Sequence, residues 1–364
     1  MEPVIMHEVI EQYEKQRKKV DFDSFDITIE ELIRRIYRER IIYAPVYQRN
    51  FRWTLEKQSK LIESVILGIP VPPLFMATNS DNESLDKWEV VDGVQRLLTL
   101  VHFINNEDFN TPEKFIPNEG FLKLQDLEYL KTVNGKGFED IPPQLQSSIL
   151  DRPLKVTVLS SKSDTSVRYD LFERLNTGGM QLTEHEVREC VFMGDFIDML
   201  RELAEDKNFK QVALFPEARL KDGTPQEYVL RFFAFANKYK DFQHSVKDFL
   251  NDYCKEMKSA TPEKLSQMRE DFTKTFEYLA LCFPAGIRVN NRKVSPVNLY
   301  EGVSVGAFLA LQKEPQIKAI HDLEWMKSDR MIDATKGATN TSWRVEQRIE
   351  DSMKHFLGEE ILDK

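Results

Sequence analysis

One stretch decides how the fold is built: Trp88-Glu89-Val90-Val91-Asp92-Gly93-Val94-Gln95-Arg96-Leu97-Leu98-Thr99-Leu100. An apolar strand leads into Asp92-Gly93, and an amphipathic helix begins at once. Asp92 is a favourable N-cap, and Gln95 follows at the spacing of a capping box. Arg96 falls in the first helical turn, where the helix dipole favours anions over cations. Because free amides and an unfavourably placed arginine meet there, we interpret the segment as a phosphate site.

The composition describes a chain with enough apolar residues for a full core. The 364 residues are 41% hydrophobic, which predicts two domains. A net charge of −10 argues against binding nucleic acid by overall charge, and leaves a local basic groove open. The three cysteines, at 190, 254 and 282, have no CxxC spacing and favour a reducing cytoplasm. Since no apolar run approaches about 18 residues, no membrane span is predicted.

Strands alternate with helices only in the first half of the chain. Apolar or alternating runs predict strands at 41–46, 74–78, 88–91 and 154–159, and the second and third form a hairpin. Thr183 and Glu186 have capping-box spacing and begin a helix. From about residue 190 onward the patterns predict helices alone. The fold class is therefore α+β, with an all-helical C-terminal domain and a boundary near residue 190.

Two further segments contain side chains suited to a phosphorylated ligand. Tyr47-Gln48-Arg49-Asn50-Phe51-Arg52-Trp53 follows a strand end, and its guanidinium and aromatic groups suit phosphate and a base. Phe172-Glu173-Arg174-Leu175-Asn176-Thr177-Gly178-Gly179 ends a helix in a glycine loop that allows phosphates close to the backbone. Each segment also has a purely structural interpretation. The first would be a loop packed on the core, and the second would be a helix C-cap. The same holds for Asp92 to Arg96, as an ordinary capped helix. Neither a Walker sequence nor GxGxxG is present.

Taken together, the three segments resemble the N-terminal domain of the GmrSD-type restriction endonucleases, of the ParB/sulfiredoxin-like superfamily. The family's Tyr-Gln-Arg-x-aromatic-x-Trp loop matches Tyr47, Gln48, Arg49, Phe51 and Trp53. Its central Asp-Gly-Gln-Gln-Arg corresponds to residues 92–96, where Val94 replaces the first glutamine. Its Phe-x-Arg-Leu-Asn-x-Gly-Gly matches Phe172, Arg174, Leu175, Asn176, Gly178 and Gly179. Order and spacing agree over roughly residues 25–195.

This resemblance implies a small mixed sheet with helices. Together with the change to helices alone near residue 190, it divides the chain into three predicted segments. They are an N-terminal helical arm at 1–24, a ParB/GmrSD-like nucleotide-binding domain at 25–190 and a helical domain at 191–364. The implied activity is binding, and in several members hydrolysis, of a nucleoside triphosphate with Mg²⁺ in defence against phage DNA. DNA and a separate nuclease subunit are the implied partners.

The resemblance also assigns roles to individual residues. Asp92 would orient a metal ion or water, Gln95 would position the attacking water, and Arg96 would neutralise phosphate charge. Arg49 would be a second phosphate contact, and the pocket would be closed by Asn176, Gly178 and Gly179. The remaining nucleotide-binding candidates are Gln48, Trp53, Gly93 and Arg174.

Val94 leaves two outcomes open. If the family's glutamine orients water, turnover would be slow or lost while binding survives; if it only packs on the sheet, Val94 is harmless. The alternative function is a non-catalytic module that binds DNA or a protein partner and uses the nucleotide as a switch.

The histidines and the C-terminal helix offer further candidates. The six histidines are His7, His102, His185, His244, His321 and His355. No two have metal-ligand spacing, so nuclease activity in this chain is not expected. His185 follows the glycine loop and is the first to inspect. Trp343, Arg344 and Arg348 lie on a predicted helix that either contacts nucleotide or DNA phosphate, or buries Trp343 in the core.

Overall fold

In the computed structural model the chain separates into two compact units, Met1–Gln181 and Leu182–Lys364. The structure describes residues 9–10, 13, 21–42, 51, 53–78, 87–104, 112, 120–160, 169, 171, 174, 183–289, 293–336 and 340–359. The predicted site residues Gln48, Arg49, Asn176, Gly178 and Gly179 lie outside the described residues.

The first unit contains a five-stranded mixed sheet. Its strands are β1 (Phe22–Thr28), β2 (Ile41–Ile42), β3 (Leu74–Thr78), β4 (Trp88–Asp92) and β5 (Pro153–Leu159). Their order is β1-β5-β3-β4-β2. β1 pairs antiparallel with β5, and β3 with β4, while β3 runs parallel to β5 and β2 to β4. The predicted hairpin and the α+β fold class are confirmed.

Strand β1 corrects the predicted helical arm. Residues 22–24 were assigned to that arm, and they belong to β1, whereas Val9, Ile10 and Tyr13 are helical. The strand is at the edge of the sheet and is mostly exposed, and Asp23 and Asp26 interrupt its strand-favouring residues. Its pairing with β5, across more than a hundred residues of chain, completes the strand.

Four helices of the first unit have described bounds. They are α1 (Ile29–Tyr37), α2 (Leu55–Leu67), α3 (Val94–Phe103) and α4 (Pro143–Leu150), with a 3₁₀ turn at Lys131–Val133. The Thr28 and Thr54 hydroxyls accept hydrogen bonds from first-turn amides of α1 and α2. Gly68 ends α2 with a φ of 73°, a left-handed conformation that favours glycine. The helices bury Ile33, Ile62 and Leu97 in the core.

Helix α2 is tied to the irregular segment that follows α3. The Glu63 carboxylate is buried and accepts hydrogen bonds from the amides of Glu128, Tyr129 and Leu130 at 3.2, 2.8 and 2.8 Å. Burial alone would raise the pKa of Glu63, but these three hydrogen bonds hold it below its usual value. The segment is thereby fixed to the helix that begins beside the candidate site.

The described residues of the second unit form helices without a strand. They are α5 (Glu184–Val191), α6 (Asp195–Ala204), α7 (Lys207–Val212), α8 (Thr224–Lys238), α9 (Val246–Met257), α10 (Pro262–Cys282), α11 (Val297–Lys313), α12 (Asp329–Thr335) and α13 (Ser342–Phe356). Short 3₁₀ turns lie at Glu217–Arg219, Tyr239–Asp241 and Glu324–Lys327. Helices α11 and α13 approach closely at Gly302 and Gly306, where an added Cβ would meet the α13 backbone. Across the described chain, none of the helices is long and apolar enough for a membrane span.

A chain of buried ion pairs connects four helices of this unit. Arg188 on α5 contacts Glu227 on α8 at 3.1 Å, and Glu227 contacts Arg231 at 2.7 Å. Arg231 then contacts Glu301 on α11 at 2.7 Å, and Glu301 also pairs with Arg348 on α13. The network draws α5 into the second unit. The division of contacts therefore falls before α5, between residues 181 and 182, and the boundary predicted near residue 190 lies within about ten residues of it.

Because of these ion pairs, we expect the fold to lose thermal stability in acid. Burial alone would raise the pKa of Glu227, but Arg231 and Arg188 lower it from 4.5 to about 2. Because the folded pKa is below the unfolded one, Glu227 stabilises the fold above about pH 4.5, and this contribution disappears as the pH falls toward 2. Thermal melts followed by circular dichroism should show the midpoint dropping below pH 5, and less steeply in Glu227→Gln. Parallel profiles for the two proteins would contradict this.

Candidate functional site

The candidate site lies where β4 passes into α3. The helix is capped by Gly93, with a φ of 97° and no side-chain hydrogen bond to the first-turn amides. The prediction that Asp92 is the N-cap, in a capping box with Gln95, is therefore wrong. Asp92 is the last residue of β4, and both side chains have other partners described below.

The guanidinium of Arg96 is held by groups of the first unit. Its Nη2 donates to Asp92 Oδ2 at 2.5 Å, and Nη1 donates to the carbonyls of Pro72 and Pro73 at 2.5 and 2.9 Å. The Arg96 side chain is 12% exposed. Asp92 thus supplies the anion that the sequence led us to expect from a ligand. These bonds use three of the five N–H donors, and the remaining two are on Nε and Nη2.

Gly93 allows this close arrangement. A Cβ at this position would lie 2.4 Å from Leu74 Cδ2 and 3.3 Å from Arg96 Cζ. Together with the positive φ, this excludes a larger residue without rearrangement. The glycine therefore brings the start of α3 against β3 and sets the Arg96 guanidinium beside the first helical turn.

Gln95 holds the loop before α2. Its Oε1 accepts a hydrogen bond from the Trp53 amide at 3.2 Å, and the Trp53 carbonyl accepts one from Gln58 Nε2 at 3.1 Å. The Phe51 ring lies 4.7 Å from the ring of His102 on α3. The first and second sequence motifs therefore meet at Trp53. The Gln95 side chain contacts protein at the position where it was expected to orient water.

Gln58 belongs to the site environment and was missed by sequence reasoning. It is 5% exposed and lies on α2 with Ile62 and Val65, at helical spacing. A glutamine at the spacing of an apolar face is unusual, since a buried amide needs hydrogen-bond partners. That spacing was the available signal, and Trp53 is the partner.

Val94 faces the core of the first unit. Its side chain is 4% exposed, as is that of Leu98 one turn later. The position at which the chain departs from the expected motif thus points inward. This favours the interpretation in which the residue packs on the sheet.

In the third motif, only one of the predicted site residues is among those that the structure describes. Arg174 is exposed and helical. Asn176, Gly178 and Gly179 lie outside the described residues, as do Gln48 and Arg49. That all three motifs form one pocket stays a prediction.

The candidates in the second unit are mostly structural. His185 is 1% exposed, and its Nε2 lies 3.7 Å from Glu189 Oε1. Arg348 is fully buried against Glu301, so it does not lie on a surface that DNA phosphate reaches. Trp343 is 53% exposed, and the expectation that it fills the core is wrong. Arg344 pairs with Asp333 and lies 5.2 Å from the Trp343 ring. Among the residues with described positions, no group of three His, Cys, Asp or Glu is arranged for a metal ion.

The family comparison covers this site. Residues 29–193 match the family described as GmrSD restriction endonuclease, N-terminal domain. This stretch, just under half of the chain, is similar to that domain. The matched GmrSD N-terminal domain begins at α1 and includes the β4–α3 junction and all three motifs. Its end beyond α5 agrees with the resemblance found in the sequence.

One solved structure also resembles this chain. The chain is similar to a Pnob8-like ParB-N domain, with 10% identity over 93% of this chain and 98% of that chain. The TM-score is 0.24. A search among curated proteins found no match to this sequence.

Proposed function

We propose that the first unit binds and hydrolyses a nucleoside triphosphate at the start of α3, as a component of a restriction-type DNA-defence system. The observation that supports this best is the first turn of α3, where Gly93 makes no side-chain cap hydrogen bond, beside a fixed Arg96 guanidinium. Helix N-termini with free amides are favourable phosphate sites. The GmrSD N-terminal domain family supplies the restriction context.

The proposed binding mode uses groups that are already oriented. Phosphate oxygens accept hydrogen bonds from the amides of Val94 and Arg96 in the first turn of α3 and from the two remaining N–H donors of Arg96. A guanidinium held by Asp92 and two carbonyls needs little reorganisation when charge develops on the phosphate. Arg49, Gln48, Trp53, Arg174, Asn176 and the Gly178-Gly179 backbone complete the pocket in this proposal.

Mg²⁺ accompanies the triphosphate in this proposal, but Asp92 does not fit as its ligand. The Asp92 carboxylate is 2.5 Å from the Arg96 guanidinium, and a divalent cation there would be repelled by that charge. DNA and a separate nuclease subunit remain the proposed partners.

One observation favours the alternative of a nucleotide-switched binding module. Gln95, the residue expected to position water, accepts a hydrogen bond from the Trp53 amide. Phosphate release should therefore be measured with the four common triphosphates and Mg²⁺, with Asp92→Ala as a control. Release supports the hydrolase. DNA or partner binding that depends on nucleotide without release supports the switch.

Arg96→Ala is expected to weaken nucleotide binding by about 1.5–3 kcal/mol, the range for hydrogen bonds to charged groups. Isothermal titration calorimetry measures this directly. Arg34→Ala is the matched control, because Arg34 pairs with Glu30 on the partly exposed surface of α1 in the same unit. Equal affinity in the Arg96 variant and the wild type would contradict the proposed site.

A further inference from the structure

The pair formed by Asp92 and Arg96 bears on how the proposed site works. Asp92 ends β4, and Arg96 lies in the first turn of α3. Their Oδ2 and Nη2 atoms are 2.5 Å apart, and the arginine side chain is 12% exposed against 37% for the aspartate. The pair is therefore partly accessible to solvent, and the arginine is the more buried of the two side chains.

The remaining contacts of Arg96 fix its position. Nη1 donates to two successive carbonyls, those of Pro72 and Pro73, just before β3. Gly93 brings the backbone close enough that a Cβ would meet Arg96 Cζ at 3.3 Å. The guanidinium is thus held on one side by main chain and on another by the Asp92 carboxylate, with Nε and one N–H of Nη2 left for a ligand.

We propose that Asp92 is a positioning residue that fixes the Arg96 guanidinium for phosphate, and that it does not hold a metal ion. The inference rests on the proposed nucleotide site and changes the role of one of its residues. An arginine oriented in advance loses less side-chain entropy on binding, which is how such a pair raises affinity. Asp92 also brings a negative charge near the phosphate, so its benefit is geometric and its charge opposes binding.

Because the geometric benefit and the charge of Asp92 act in opposite directions, substitutions can distinguish a positioning role from a metal-binding role. Asparagine at position 92 keeps an acceptor for Arg96, loses the charge and is a poor ligand for Mg²⁺. Alanine loses the acceptor as well. The positioning role therefore predicts opposite results for the two substitutions, whereas the metal role predicts that both weaken binding only in the presence of Mg²⁺.

The test measures affinity for ATP and GTP with Mg²⁺ and with EDTA in the full chain. Asp92→Asn should bind at least as tightly as the wild type under both conditions. Asp92→Ala should bind about tenfold more weakly under both, as for the loss of a hydrogen bond to a charged group. Asp92→Ala/Arg96→Ala should bind no more weakly than Arg96→Ala, because the two residues act as a unit.

Three results would overturn the proposal. They are a loss of affinity in Asp92→Asn confined to the Mg²⁺ condition, wild-type affinity in Asp92→Ala, and additive losses in the double variant. Failure of the proposed function looks different, because the wild type would then bind neither nucleotide under either condition.

A second readout does not depend on nucleotide. Phenylglyoxal modification of Arg96, followed by peptide mass spectrometry, should be slow in the wild type and Asp92→Asn and several-fold faster in Asp92→Ala. Arg34 serves as the internal reference for reagent activity. Equal rates in all three proteins would show that Asp92 does not fix Arg96.

Discussion

Glu301→Gln is expected to lower the free energy of unfolding of the second unit by about 3–5 kcal/mol, the cost of breaking a buried ion pair from one side. Glu301 is 1% exposed on its side chain and accepts hydrogen bonds from Arg231 and Arg348. Glutamine keeps a hydrogen-bond acceptor but removes the charge, so the guanidinium groups of Arg231 and Arg348 lose the negative charge that they share. The large effect follows from burial, since Arg348 is fully buried.

Urea unfolding followed by circular dichroism measures this change. Glu270→Gln is the matched control, because Glu270 forms its ion pair with Lys274 on the surface of α10, with side chains 55% and 65% exposed. An exposed pair contributes about 0–1 kcal/mol. If the two variants lost equal stability, the network would not stabilise the unit as its burial indicates.

Gly306→Leu is expected to destabilise the second unit by at least about 3 kcal/mol, at or beyond the upper range for overpacking. A Cβ at Gly306 would lie 2.5 Å from Ser352 Cβ and 2.8 Å from the Met353 amide nitrogen. Two of the three nearest atoms are α13 backbone, including the Ile349 carbonyl oxygen at 3.0 Å, and the third is a Cβ bonded directly to it, so no flexible side-chain end can move aside. Helices α11 and α13 must therefore separate to accommodate leucine.

Hydrogen–deuterium exchange of α13 peptides is the suitable measurement, since it reports on the helix that has to move. The expected result is faster exchange in α13 together with a lower thermal midpoint. Gln312→Leu adds a similar side chain at an exposed position of the same helix and should change neither. Unchanged α13 exchange in Gly306→Leu would contradict the close helix contact.

Local patterns predicted the elements whose contacts are local. The β3–β4 hairpin and the Thr183–Glu186 capping box both form, the latter with both of its hydrogen bonds. Turn residues and cap spacings act over a few positions, so one sequence is enough to find them.

Features that depend on distant partners were missed or misjudged. Strand β1 needs β5 to define it, and the ion network needs four helices to meet. Asp92 satisfied every local rule for an N-cap, yet its carboxylate binds Arg96, which the Pro72 and Pro73 carbonyls also hold. The sequence motif at the β4–α3 junction identified the candidate site, and tertiary contacts determine the role of each residue there.

Phosphate binding at the first turn of α3 can be seen in a crystal structure of the full chain with a non-hydrolysable triphosphate. We expect phosphate oxygens within hydrogen-bond distance of the amides of Val94 and Arg96 and of the two remaining Arg96 donors. A triphosphate bound elsewhere, with the α3 amides and Arg96 making no contact to it, would show that this junction is not the nucleotide site.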